Sequence, residues 1–170
     1  MDRSQDTDGF RLVGQSYLDA DFVPERQCDR DLISDLIFVG ELNAEQERAF
    51  RIIANHASCT NPERLQMHLG GMGGTGKSRV IQSLVTFFEA RGEAHRFVVV
   101  APTGAAAALL SGSMYHSVLN INDRKAYDSL KSDAEVQAKL AVVEYFFMDE
   151  TSMISCRDLY RISAATAKAM

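Results

Sequence analysis

The chain has 170 residues, 46% of them hydrophobic, which suits one domain with its own core. No apolar run is long enough to span a membrane, and the polar, acidic start is neither a secretory signal nor an Arg-rich transit peptide, which points to a soluble, intracellular protein. The net charge of −5 sits wholly in residues 1–40, where eight Asp and one Glu face four Arg; residues 41–170 balance 14 acids with 14 bases, so bulk charge gives no basic footprint for nucleic acid.

Residues 1–40 lack a sustained hydrophobic period and read as an acidic, poorly ordered extension, within which only "DLISDLIFVG" (residues 31–40) offers an apolar turn or strand able to dock. Residues 41–170 form the domain. At "LNAEQERAFRIIANHAS" (residues 42–58) Asn43 suits an N-cap, Gln46 stands at N3, and Phe50, Ile53, Ala54 and Ala57 make an apolar stripe. A helix starts there, and from the residues alone Gln46 reads first as half of a capping box.

Next comes "RLQMHL" (residues 64–69), short, half apolar and able to form a strand. Five of the chain's 11 glycines follow between Gly70 and Gly76. Glycine is destabilising inside an element, so the cluster needs another reason, and its spacing supplies one. Gly71-x-x-x-x-Gly76-Lys77-Ser78 fits the P-loop, in which small residues let successive backbone N–H groups surround a phosphate. The helix that begins at once after the loop has Val80, Ile81, Leu84, Val85 and Phe88 at helical spacing and stops at Gly92; its N-terminus adds to the anion site.

"RFVVVAPTGAAAALLSG" (residues 96–112) reads as a buried strand, 97–101, broken by Pro102 and Gly104, then an alanine-rich helix. Residues 120–139 read as a polar, partly helical excursion. "VEYFFMDETS" (residues 143–152) gives a third apolar strand ending in Asp149 and Glu150, and an amphipathic helix over 154–169 closes the chain. Strands alternating with helices predict a three-layer α/β fold with a parallel sheet, whose ligands sit beyond the carboxyl ends of the strands. Gly71–Ser78, Thr103 with Gly104, and Asp149 with Glu150 all fall there. Cys28, Cys59 and Cys156 are widely spaced and form no CxxC pair, and His56, His68 and His95 share no metal-ligand spacing.

Phosphoryl transfer to water needs positioning and charge neutralisation above all. Gly71, Gly73, Gly74, Thr75 and Gly76 would cradle the phosphates of a nucleotide, Lys77 would neutralise the β and γ groups, and Ser78 would give its hydroxyl to Mg²⁺. Asp149 would hold the metal through water, and Glu150, next to it, would polarise the attacking water. Since strand neighbours point to opposite faces, the two carboxylates need not share one role. Standing alone, Asp149 would equally suit a helix cap or turn, and His116 a hydrogen-bonded core position.

"LNAEQ", "GMGGTGKS", "APTGAAAALLSGSMYHS" and "FFMDETSM" resemble, in order and spacing, the Q motif and motifs I, Ia and II of the Pif family of superfamily-one DNA helicases, which travel 5′ to 3′ on single strands. The resemblance covers residues 41 to the C-terminus. It implies a P-loop NTPase (RecA-like) fold, ATP and Mg²⁺ as cofactors, and single-stranded DNA as partner. It also implies that Gln46 reads the adenine and that Thr103, Gly104, His116 and Ser117 lie along the DNA path. Family settings are the nucleus and the mitochondrion, in DNA repair, recombination and telomere maintenance. Helicases of this kind carry, after motif II, a Gly-Asp-x-x-Gln-Leu-Pro segment and a second RecA-like domain with an arginine finger, and none of these follows Met170. A strand between the Walker A and Walker B strands would then be missing. The expectation is an incomplete sheet, with unpaired backbone groups and scope for self-association, and a truncated motor that is weak or inactive alone. A small P-loop nucleotide kinase and a non-catalytic interaction module are the alternatives; the kinase would carry an arginine-rich lid, and residues 104–170 hold no such segment.

Overall fold

A computed structural model describes residues 22–121 and 129–169. The element order is α1 (Gln27–Val39), α2 (Ala44–Ser58), α3 (Lys77–Ala90), β1 (Phe97–Ala101), α4 (Gly104–Leu109), β2 (Ser113–Met114), α5 (Tyr115–Val118), α6 (Ser129–Leu140), β3 (Tyr145–Met148) and α7 (Cys156–Ala169).

Phe97–Ala101 and Tyr145–Met148 are runs of β-branched and aromatic residues, and they pair in parallel, Phe97 opposite Tyr145 and Val100 opposite Met148. The two-residue β2 pairs in parallel on the other side of β1, giving the order β2-β1-β3. The pleat then sorts the side chains. Phe97, Val99, Tyr145 and Phe147 join the clusters built by α1, α2 and α3 around Phe50, Leu84, Phe87 and Phe88. Val98, Val100, Phe146 and Met148 face the opposite cluster, with Tyr115, Leu140 and Ile162 from α5, α6 and α7. A parallel sheet with helices on both faces is the three-layer α/β arrangement expected.

The chain departs from expectation at three places. Gln27–Val39 is a helix docked on the core, burying Ile33 and Asp29, where residues 1–40 were expected to stay poorly ordered. Leu32, Ile33, Leu36 and Ile37 recur at helical spacing and pack on that core, and Asp29, buried with them, is compensated by Arg91 at the end of α3, which reaches it at 2.7 Å. Residues 1–21 lie outside the described residues, as do 122–128 of the expected polar excursion. Secondly, residues 64–69 form no strand. Leu65 and Leu69 pack half-buried against the core, but among the described residues 64–70 make no backbone–backbone hydrogen bond. Among the described residues no segment pairs with 64–69, and a run of strand composition becomes a strand only through a neighbour. Thirdly, β2 and α5 arise within "SMYHSVL", a stretch whose single turns are too short for periodicity to show.

Candidate functional site

The glycine loop is placed by α3. Early in that helix Ile81 shares a buried cluster with Val99 and Leu110, while near its end Phe88 stacks on Phe97 at 5.0 Å and meets Tyr145 at 5.0 Å. The helix therefore runs antiparallel to β1 and β3. Its N-terminus, with the loop, lies at the sheet edge where β1 gives way to Thr103 and β3 to Asp149.

In the loop, Gly71, Gly74 and Gly76 adopt φ of 152°, 81° and 80°. The latter two are left-handed, where a side chain is strained. Space around Gly73 and Gly74 is open, with no atom within 4 Å of a β-carbon built on either. Lys77 Nζ donates to the carbonyls of Gly71 at 2.9 Å and Met72 at 3.0 Å, so the ammonium closes over the loop. Thr75 turns inward, its hydroxyl donating to the Met72 carbonyl at 2.9 Å. Ser78 is exposed on the first turn of α3. A left-handed turn with open room, a cation across its mouth and a helix N-terminus behind it is the donor set for a polyphosphate.

Gln46 belongs to this site by direct contact. Its backbone N–H donates to Asn43 Oδ1 at 2.9 Å and its own Oε1 accepts from the Asn43 N–H at 3.0 Å, the reciprocal capping box of α2. Its Nε2 then donates to the carbonyl of Thr75 at 3.0 Å and lies near that of Gly76 at 3.4 Å. A side chain at residue 76 would push this amide off the loop, a second reason for Gly76.

Asp149 continues the ladder, its N–H donating to the Val100 carbonyl at 2.9 Å. Glu150 does not. It sits in the left-handed region, φ 50° and ψ 43°, and opens a 3-10 turn over Thr151–Met153. Glu150 thus lies outside the strand, so the alternation of strand side chains that the sequence suggested does not extend to it. Among the described residues no three His, Cys, Asp or Glu gather as a metal site. A cation here would rest on one carboxylate, one hydroxyl and the phosphates themselves, a set that suits Mg²⁺.

Thr103 caps α4, its hydroxyl accepting from the Ala106 N–H at 3.2 Å. Gly104 lies beside Met114, and exposed His116 stacks on Tyr115 at 3.9 Å, which brings these residues, with exposed Ser117, to one rim of the sheet. His116 is thus a surface residue, not a core one.

Sequence reasoning missed one junction. His56, buried on α2, has Nδ1 2.7 Å from the Tyr145 hydroxyl and Nε2 2.7 Å from the Glu63 carbonyl. Its side-chain partner stands 89 residues away, beyond the reach of local pattern. Burial, above all, holds the Tyr145 phenol well above its usual range, so it keeps its proton.

The sequence profile of PIF1-like helicases matches residues 41–169. The chain belongs to this helicase family. It is also 31% identical over 134 residues to the ATP-dependent DNA helicase PIF4 of Trypanosoma brucei brucei, a match covering 73% of this chain and 15% of that protein. No solved structure matches. The family match starts at residue 41, so α1 lies outside it although it packs on the same core.

Proposed function

We propose that this chain carries the ATP-binding part of a DNA helicase motor, a RecA-like unit in which ATP hydrolysis drives 5′-to-3′ translocation on single-stranded DNA. The observation that carries the reading is the direct tie between Gln46 and the glycine loop, since it joins the two motifs nearest the nucleotide into one site. The loop glycines with Thr75 would take the phosphates, Lys77 their charge, and Gln46 the adenine. Gln46 would release one of its present bonds to do so, because both ends of its amide are engaged. Ser78 and Asp149 would hold Mg²⁺, which supplies charge neutralisation at the phosphates when bound. Glu150 would orient and deprotonate water, and Thr103, Gly104, His116 and Ser117 would line the DNA path.

The surface for self-association would be the outer edge of β3 together with residues 64–69, which make no ladder hydrogen bonds among the described residues. No helix among the described residues is long and apolar enough to cross a membrane. The deciding test is ATP turnover by the purified chain with Mg²⁺, with and without single-stranded DNA, against Lys77→Ala. DNA-stimulated turnover that the substitution abolishes supports the reading. Nucleotide binding that Lys77→Ala leaves intact would sink it.

A further inference from the structure

Among the described residues no strand ladder holds residues 64–70, which lead into the glycine loop, and Leu65 and Leu69 supply non-directional packing. The directional hold is the imidazole of His56. The Glu63 carbonyl can only accept, so Nε2 carries a proton and donates to it; in the neutral ring Nδ1 then accepts from the Tyr145 hydroxyl. Each end of this bridge belongs to a different half of the site. Glu63 opens the segment that runs to Gly71, and Tyr145 opens the strand that runs to Asp149. Tyr145 is itself fixed. Phe88 lies 5.0 Å from its ring, the His56 ring meets it edge-on at 5.6 Å, and the Arg96 guanidinium covers it at 5.9 Å. His56 stands on α2, the helix whose first turn presents Gln46 to the loop.

We infer that His56 is a positioning residue, setting the phosphate loop relative to the Asp149 carboxylate by tying the Glu63 carbonyl to the Tyr145 hydroxyl where no backbone ladder among the described residues does so. The inference rests on the nucleotide-binding reading of the site and adds to it. A metal held jointly by phosphate and carboxylate is sensitive to the spacing of the two, whereas phosphate held by the loop alone is not. Loss of the bridge therefore acts selectively on the metal-dependent part of nucleotide affinity. A histidine that merely satisfied the core would instead lower stability and both affinities together.

The test uses the whole chain, with Tyr145→Phe, which removes only the hydroxyl, and His56→Gln, which keeps an amide donor for Glu63, as a second variant should the first fold poorly. Binding of a fluorescent ADP is measured with and without Mg²⁺. In parallel, spin labels replace exposed Met72 and Met153, in a background where Cys28, Cys59 and Cys156 are Ser, and report the distance between loop and carboxylate turn. The expected result is a broadened distance distribution and a loss of about tenfold in the enhancement of ADP affinity by Mg²⁺, with metal-free affinity kept. An unchanged distribution overturns the inference whether or not nucleotide binds, and so does a parallel fall of both affinities. A wild-type chain that binds no ADP, yet loosens in Tyr145→Phe, would instead overturn the proposed function and leave the mechanical link standing.

Discussion

The side-chain amide of Gln46 donates to the Thr75 carbonyl at 3.0 Å while its oxygen closes the capping box with Asn43, so one residue fastens the start of α2 to the glycine loop. The two duties can be separated. Asn43→Ala removes the cap acceptor and costs about 1 kcal/mol of stability. Gln46→Ala loses a similar amount and also the hold on the loop, so its nucleotide affinity falls about tenfold further, by roughly one charge-free hydrogen bond in a closed site. Equilibrium binding of ADP to both variants, beside their melting temperatures, checks this. Equal affinities in the two variants would reduce Gln46 to a capping residue.

Glu150 occupies a left-handed backbone that glycine would adopt without strain. Glu150→Gly is expected to stabilise the chain by about 1 kcal/mol in urea unfolding. The same substitution, like Glu150→Gln, removes the carboxylate that would act on water and lowers ATP turnover at least about 100-fold, with nucleotide binding retained. Stability gained while turnover is lost would mark a position kept for chemistry. A destabilised Glu150→Gly chain would show that the side chain, not the strain, matters to the fold.

Much of this could be read from the chain. The capping box at Asn43 and Gln46, the helix from Lys77 with Gly92 in a left-handed stop, and strand 97–101 all stand where pattern put them, and the third strand falls within 143–152 but stops at Met148, because each is specified within about ten residues of itself. The parts that differ depend on distant partners. Residues 64–69 have strand composition, but a strand exists only through its neighbour, and none is present among the described residues. Helix α1 is held by Asp29 meeting Arg91, sixty-two positions on, and by Ile33 entering the shared core. The left-handed turn at Glu150 and the His56 bridge are likewise invisible to periodicity, though both bear on the candidate site. Pattern thus found the loop and the carboxylates but not the contacts that join the segments leading to them.

Gly112 is required for a reason unlike that of the loop glycines. A β-carbon there would lie 2.6 Å from the Val99 carbonyl oxygen, a backbone atom of the central strand that cannot swing aside. Gly112→Ala must push β2 off β1 and disturb the rim that carries Met114 and His116. Destabilisation of about 2 kcal/mol in urea unfolding is expected. A change within about 0.5 kcal/mol would show that β2 is loosely held and that its pairing does not define the rim.

Glu93 joins Arg91 and Arg96 in the network that also holds buried Asp29 and, through Arg96, Glu144 at 2.7 Å. Burial raises the Glu93 carboxyl, but hydrogen bonds and charge from Arg91, then Arg96, outweigh it and hold the group below its usual range. A carboxyl depressed in the folded state contributes stability that is fully present above its unfolded value and is lost as pH falls through the lower folded one. Glu93→Gln should therefore melt below the wild type near neutrality. The gap between the two should start to close as pH falls below the ordinary carboxyl value of about 4.5 and vanish only lower, where the folded wild-type carboxylate gains its proton. Melting curves of both chains from about pH 7 to pH 3 give the answer, because a gap independent of pH would mean that Glu93 stabilises by packing and not by its charge.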